Sequence, residues 1–229
     1  MKKLLVATAV ALSLSAAAQA ADSTTVLKVA GVLTNDACTP SLDGGGVVDF
    51  GTKYVSELSA TDTNQLGNKD LSFTISCSAP TMVGFTISDD RADSAASVTI
   101  EHTSFTDPDE TSWASSTRFG AGKTAGGVNI GAYSVALNRS AATADSQTQT
   151  VLHHSAGEVD WFKWTGTSDL MGNDGLWTYT LGDAGGIPAA VTTAEFPLRI
   201  ALAVQKTDAL AITDNTTIDG QSTITLVYL

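Results

Sequence analysis

The stretch DLSFTISCS, residues 70–78, alternates polar and apolar side chains at every step. Successive side chains of an extended strand point to opposite faces, so Leu71, Phe73, Ile75 and Cys77 share one of them. An amphipathic helix would repeat its apolar positions every three or four residues instead. The segment therefore reads as a half-buried strand, and the same signature recurs on both sides of it. Downstream, MVGFTISD (82–89), ASVTIEHT (96–103) and GGVNIGAYSVALN (126–138) read as further strands. AEFPLRIALAVQK (194–206) sets Leu198, Ile200, Leu202 and Val204 on one face, and IDGQSTITLVYL (218–229) closes the chain. Upstream, GVVDFGTKYV (46–55) follows the flexible Gly44-Gly45-Gly46, and TTVLKVAGVLT (24–34) reads as a first strand or pair of strands. Short alternating runs separated by Gly, Asp, Asn, Ser and Thr predict one all-β domain, a sandwich or barrel. Two less regular stretches, near 104–125 and 139–190, read as loops or subdomain insertions at its ends.

The first 20 residues have the parts of a secretory leader: Lys2 and Lys3, an apolar run Leu4–Leu14, and the small-residue site Ala18-Gln19-Ala20. That run is short for a bilayer span, and the expected mature chain of 209 residues out of 229 carries no membrane span. Losing two lysines with the leader takes the formal charge from −12 to −14. Such an acidic chain lacks the basic footprint that nucleic-acid binding requires. Cys38 and Cys77 are the two cysteines. In an exported chain, with strand-like sequence around each, they predict one disulfide closing a loop of about 40 residues, worth roughly 3–4 kcal/mol.

Patterns that carry chemistry are weak. RFGAGKTAGG (118–127) has Thr117 where a phosphate-binding loop needs its first glycine, and reads as a turn. His153 and His154 are adjacent, a poor spacing for metal ligands, and the Asp and Glu residues near 107–110 and 169–174 lack a calcium-loop pattern. No Gly-x-Ser-x-Gly elbow accompanies the serines. The expectation is a protein without catalysis, metal or cofactor. Trp161, Trp164 and Trp177, in an aromatic-rich stretch, are candidate sugar-stacking residues, with core packing as the plainer reading.

Several residues taken together resemble the chaperone–usher pilins. VLKVAGVLTNDAC places Gly31 seven residues before Cys38, with Cys77 following; GGVNIGAYSVAL resembles a mid-domain strand; and the segment from Leu198 through Gly220 to the second-last Tyr228 resembles the closing strands. CTPSLDGGGVVDFG (38–51) further resembles a pilin-like family of exported proteins. The resemblance implies an immunoglobulin-like β-sandwich lacking its final strand, completed by β-augmentation. On that basis residues 21–31 form an N-terminal extension, with Val26, Leu27 and Val29 as donor-strand plugs, and 32–229 form the domain. Gly220, Ile224, Leu226 and Tyr228 belong to the terminal strand that meets a periplasmic chaperone, an outer-membrane usher and neighbouring subunits. The implied destination is the periplasm and then a cell-surface fimbrium serving attachment. Two alternatives stay open: a stand-alone periplasmic β-sandwich, and a carbohydrate-binding tip subunit using the tryptophans.

Overall fold

A computed structural model describes residues 27–31, 37–212 and 215–229. The chain divides into two units, Met1–Asn35 and Asp36–Leu229. In the first, residues 27–31 form no strand, and Leu27 and Val29 are exposed. The expected leader and the donor residue Val26 lie outside the described residues.

The second unit is all-β, with eleven strands among the described residues. They are β1 (Cys38–Leu42), β2 (Asn64–Asp89), β3 (Phe119–Gly120), β4 (Gly131–Leu137), β5 (Thr143–Ala144) and β6 (Gln147–Thr148). They continue with β7 (Thr150–Ser155), β8 (Phe162–Lys163), β9 (Trp177–Gly182), β10 (Ala190–Val204) and β11 (Ser222–Tyr228). A single helical turn, α1 (Thr207–Leu210), follows β10.

β2 organises the sandwich because it belongs to both sheets. Its first half pairs antiparallel with β1 on one side and β10 on the other, and β10 goes on to β4 and β4 to β3. Its second half pairs with β11 on one side and, through Gly84 and Phe85, with β9, which leads to β7 and β8. The crossing lies at residues 77–80, where β10 skips from Ser76 to Thr81 in register. Pro80 falls in that gap, where its missing N–H removes no bond from the β2–β10 ladder.

The runs 70–78 and 82–89, read as two strands, are thus one, because the chain turns from sheet to sheet without leaving its extended form. Their inward faces meet in the core: Phe73 and Ile75 from the first half, Val83, Phe85 and Ile87 from the second. Phe85 lies edge-on to Phe73 at 4.8 Å and to Phe196 of β10 at 4.9 Å. Such edge contacts put the positive rim of one ring against the negative face of the next.

Three further expectations are corrected. Residues 46–55 form no strand; they run extended without a ladder and end in a 3-10 turn at Val55–Glu57. Residues 96–103 keep period-two burial, with Ala96, Val98 and Ile100 inside, but hold only one bridge, Ile100 to Ser112. They lie over the small residues Ala132, Ala201 and Ala203, so packing on the outer face of the first sheet replaces pairing within it. The stretch 139–190, read as an insertion, contributes β5 to β9. Val151, Tyr179 and Leu181 from it are core residues, and frequent turns had masked the short strands carrying them.

Candidate strand-accepting groove

Cys38 and Cys77 are bonded and directly opposite in the β1–β2 ladder. The Ser78 N–H donates to the Ala37 carbonyl, so the Cys38–Cys77 pair is one of those without mutual backbone bonds, where side chains approach most closely. The same alternation turns the backbone groups of Cys38, Pro40 and Leu42 to the free side of β1. Past Leu42 the ladder stops, because the Asp43 carboxylate accepts the Ser72 N–H at 2.9 Å.

The terminal strand has the mirror arrangement. At its two ends, Asp90 N–H donates to the Gln221 carbonyl and Leu229 N–H to the Met82 carbonyl. Antiparallel bonds fall on alternate residues, so Thr223, Thr225 and Val227 bond β2 between them. The backbone groups of Ser222, Ile224, Leu226 and Tyr228 therefore point to the other side, where no described strand pairs with β11. Ile224 and Leu226 pack their side chains against the core from this edge.

The two free edges are linked at one end. The Tyr228 hydroxyl accepts the outward-facing Cys38 N–H at 3.0 Å, across 190 residues of chain. Beyond that link lies a cavity of about 280 Å³ lined by Leu42, Leu71, Val135, Leu198, Ile200 and Ile224. A second cavity, of about 490 Å³, follows between Leu58, Leu66, Ile130, Val204 and Leu210. Val48, Phe50 and Ile218 line both, so the two adjoin as one groove, apolar in its first half and mixed in its second, where Asp49, Thr52, Lys53 and Thr216 also line it. Gly220 lies in its wall against the Tyr133 ring, where an added Cβ would come within 2.7 Å. Tyr133 also bonds Ser222 through its hydroxyl, and burial pushes its phenol pKa well above the ordinary value despite that bond.

A family model described as "Protein of unknown function (DUF1120)" matches residues 27–134. Protein GltF of Escherichia coli is 30% identical over 259 residues, covering 100% of this chain and 99% of GltF. The uncharacterized protein YhcF of the same organism is 32% identical over 242 residues, covering 99% of this chain and 98% of YhcF. The chain belongs to the family of GltF and YhcF. The span matched by the family model takes in both cysteines, residues 46–55 and all of β2, and so one wall of the groove. The likeness to GltF and YhcF extends over β10 and β11 as well, and so over the other wall.

The residues singled out in the sequence of this family member fall in three places. Gly220 and Ile224 line the groove, Leu226 packs on the core beside it, Tyr228 bonds Cys38 at the joined end, and Leu27 and Val29 belong to the other unit. Trp164 and Trp177 lie on one face of β7, both beside His153 and packed on the core, while Trp161 lies on the other. His153 and His154 point to opposite faces of β7; Trp177 lies 5.1 Å from the first and Trp161 4.6 Å from the second. Trp164 packs 5.1 Å from the core Tyr179, with the Arg139 guanidinium over its ring at 5.2 Å. Burial lowers the His153 pKa, with Arg139 and His154 adding to the effect and Glu158 opposing it. No group of residues suited to hold a metal ion occurs among the described residues, and no helix there is long and apolar enough to cross a membrane.

Val48 and Phe50 were missed as groove residues, since VVDFG reads equally well as an ordinary strand. A second omission is a buried ion pair. Asp169, fully buried, takes Arg139 at 2.9 Å and hydrogen bonds from Ser104, Thr106 and the Phe105 N–H. It ties the 103–110 loop to the rest of the domain, and Arg199 holds the same loop through the Ser104 carbonyl. Nothing in the local sequence links these residues, which are 30 to 65 positions apart.

Proposed function

We propose that this chain is a structural subunit of a surface fibre, completed by a strand that another chain supplies. The observation that carries the reading is the free side of β11, four residues of unpaired backbone beside an apolar groove that opens onto the core. Unpaired strand edges of this kind template further pairing, and most proteins blunt them. Here the closing segment contains no Lys, Arg or Pro to do so. An added strand would bond the β11 backbone and set alternate apolar side chains into the groove. The extension 21–30 spans roughly 34 Å when extended, against about 24 Å for β11, so it reaches along the groove with residues to spare. Leu27 and Val29, exposed in their own unit, supply the plugs. On this reading the chain is exported by its leader, held in the periplasm by a chaperone that lends a strand, passed to an usher, and serves attachment without catalysis.

A second reading, a stand-alone sandwich, draws on one observation: Val48 and Phe50 already line the groove from within the same chain. Two substitutions separate the readings. Val29→Asp leaves the acceptor domain intact but puts a carboxylate into a neighbour's apolar groove, at a cost of several kcal/mol. It should give normal amounts of chaperone-bound subunit and no polymer. Tyr228→Ala, at the joined end of the two edges, should lower chaperone capture and periplasmic yield together. Heat-stable ladders on gels of periplasmic and surface fractions are the readout. Ladders undiminished in Val29→Asp would exclude residues 21–31 as the donor.

A further inference from the structure

The segment Val47–Lys53 is unusual among the extended stretches of this domain. Val48 and Phe50 are half-buried and line both halves of the groove, while Val47 is exposed and Asp49, also exposed, lines only the second half. Among the described residues, no backbone group from Val48 to Lys53 bonds another strand; the Gly51 N–H is taken by the nearby Asp49 side chain. The segment is held by two side chains rather than by a ladder. Ahead of it stand Gly44, Gly45 and Gly46, with φ of 60°, 68° and 81°, and within it, just past Phe50, stands Gly51, with φ of 69°. Glycine adopts these conformations and their alternatives at little cost, so the chain can rotate on both sides of the Val48 and Phe50 anchors. Val47 is 75% exposed, and Tyr54, just past the segment, is 65% exposed, so the observed seat leaves apolar surface in water at both of its ends.

We propose that residues 47–53 are a hinged strap that closes the groove in the unoccupied subunit and swings clear to admit a strand. The proposal rests on the acceptor reading above and adds its regulation. With the strap seated, Val48 and Phe50 hold apolar lining away from water and keep the open edge from indiscriminate pairing. A strand can enter only in the fraction of molecules whose strap is open. Its apparent affinity and its rate of capture are therefore reduced by that fraction. Truncating an anchor raises the open fraction without touching β11.

The test uses the purified full chain, disulfide intact, in the Val29→Asp background so that its own extension does not compete. The probes are a fluorescent synthetic peptide with the sequence of residues 21–31 and the apolar dye bis-ANS. Phe50→Ser should bind the peptide about tenfold faster and raise dye fluorescence several-fold, with far-ultraviolet circular dichroism unchanged. Val48→Ala, the milder truncation, should shift both readouts in the same direction by less, and it serves alone if Phe50→Ser does not fold. Unchanged dye uptake, or slower capture in a folded variant, overturns the strap. Increased dye uptake with no peptide binding in any form sustains the strap while rejecting residues 21–31 as the occupant.

Discussion

Asp169 shows how strongly one side chain can bind distant loops. Burial alone would raise its pKa, but hydrogen bonds from Ser104 and Thr106 and the Arg139 guanidinium together hold it below the ordinary value of 3.8. Its folded pKa lies below its unfolded one, so the stabilisation is complete above about pH 4. It is lost as pH falls through the lower, folded value. Asp169→Asn leaves Arg139 largely buried without its counter-charge and should cost about 3–5 kcal/mol near neutral pH. Urea midpoints measured from pH 7 down to pH 2 should also show a shallower acid decline in the variant than in the unsubstituted chain. An equal decline in both would mean that other carboxylates control acid unfolding.

Strand β2 is the element on which both sheets depend, and its joint with β9 is narrow. Only Gly84–Thr180 and Phe85–Tyr179 pair there. A Cβ on Gly84 would stand 2.7 Å from the Tyr179 carbonyl oxygen, closer than real contacts allow. Gly84→Ala should therefore push β9 from β2 and cost about 1–3 kcal/mol, seen as a lower thermal midpoint with weakened near-ultraviolet signals from the adjoining aromatic residues. At this scale the sequence was readable where one face is apolar and the other polar, as in Phe73 and Ile75 or Ile224 and Leu226. Their period-two pattern carried the strands, and two cysteines behind a leader-like N-terminus carried the bond between them. It was unreadable where backbone pairing decides the outcome. Val48 and Phe50 alternate as well as any strand residues, yet they have no neighbouring backbone to bond. Val151 and Leu152 belong to a true strand, yet both are buried, because β7 is covered on both faces at that point. The family resemblance drew attention to β11, whose second side no described strand pairs; nothing in the sequence drew it to Val48 and Phe50.

For the whole molecule, the Cys38–Cys77 bond joins one free edge to the strand that carries the other. Replacing both cysteines by serine should lower the unfolding free energy by about 3–4 kcal/mol, since the denatured chain regains the freedom of the closed loop. Denaturant titration of the double variant beside the oxidised chain would measure the loss, and a difference under 1 kcal/mol would show that the loop is restrained by other contacts. The bond also has a mechanical consequence. A pull on the chain just ahead of Cys38, resisted at β11, enters β2 through a covalent link and leaves it through the ladder of residues 83–89. The 39-residue separation between the cysteines, including the glycine-rich strap, is bypassed and carries no tension. The weakest link under load is then the β2–β11 ladder, stretched along the strands so that its bonds shear together rather than open one by one.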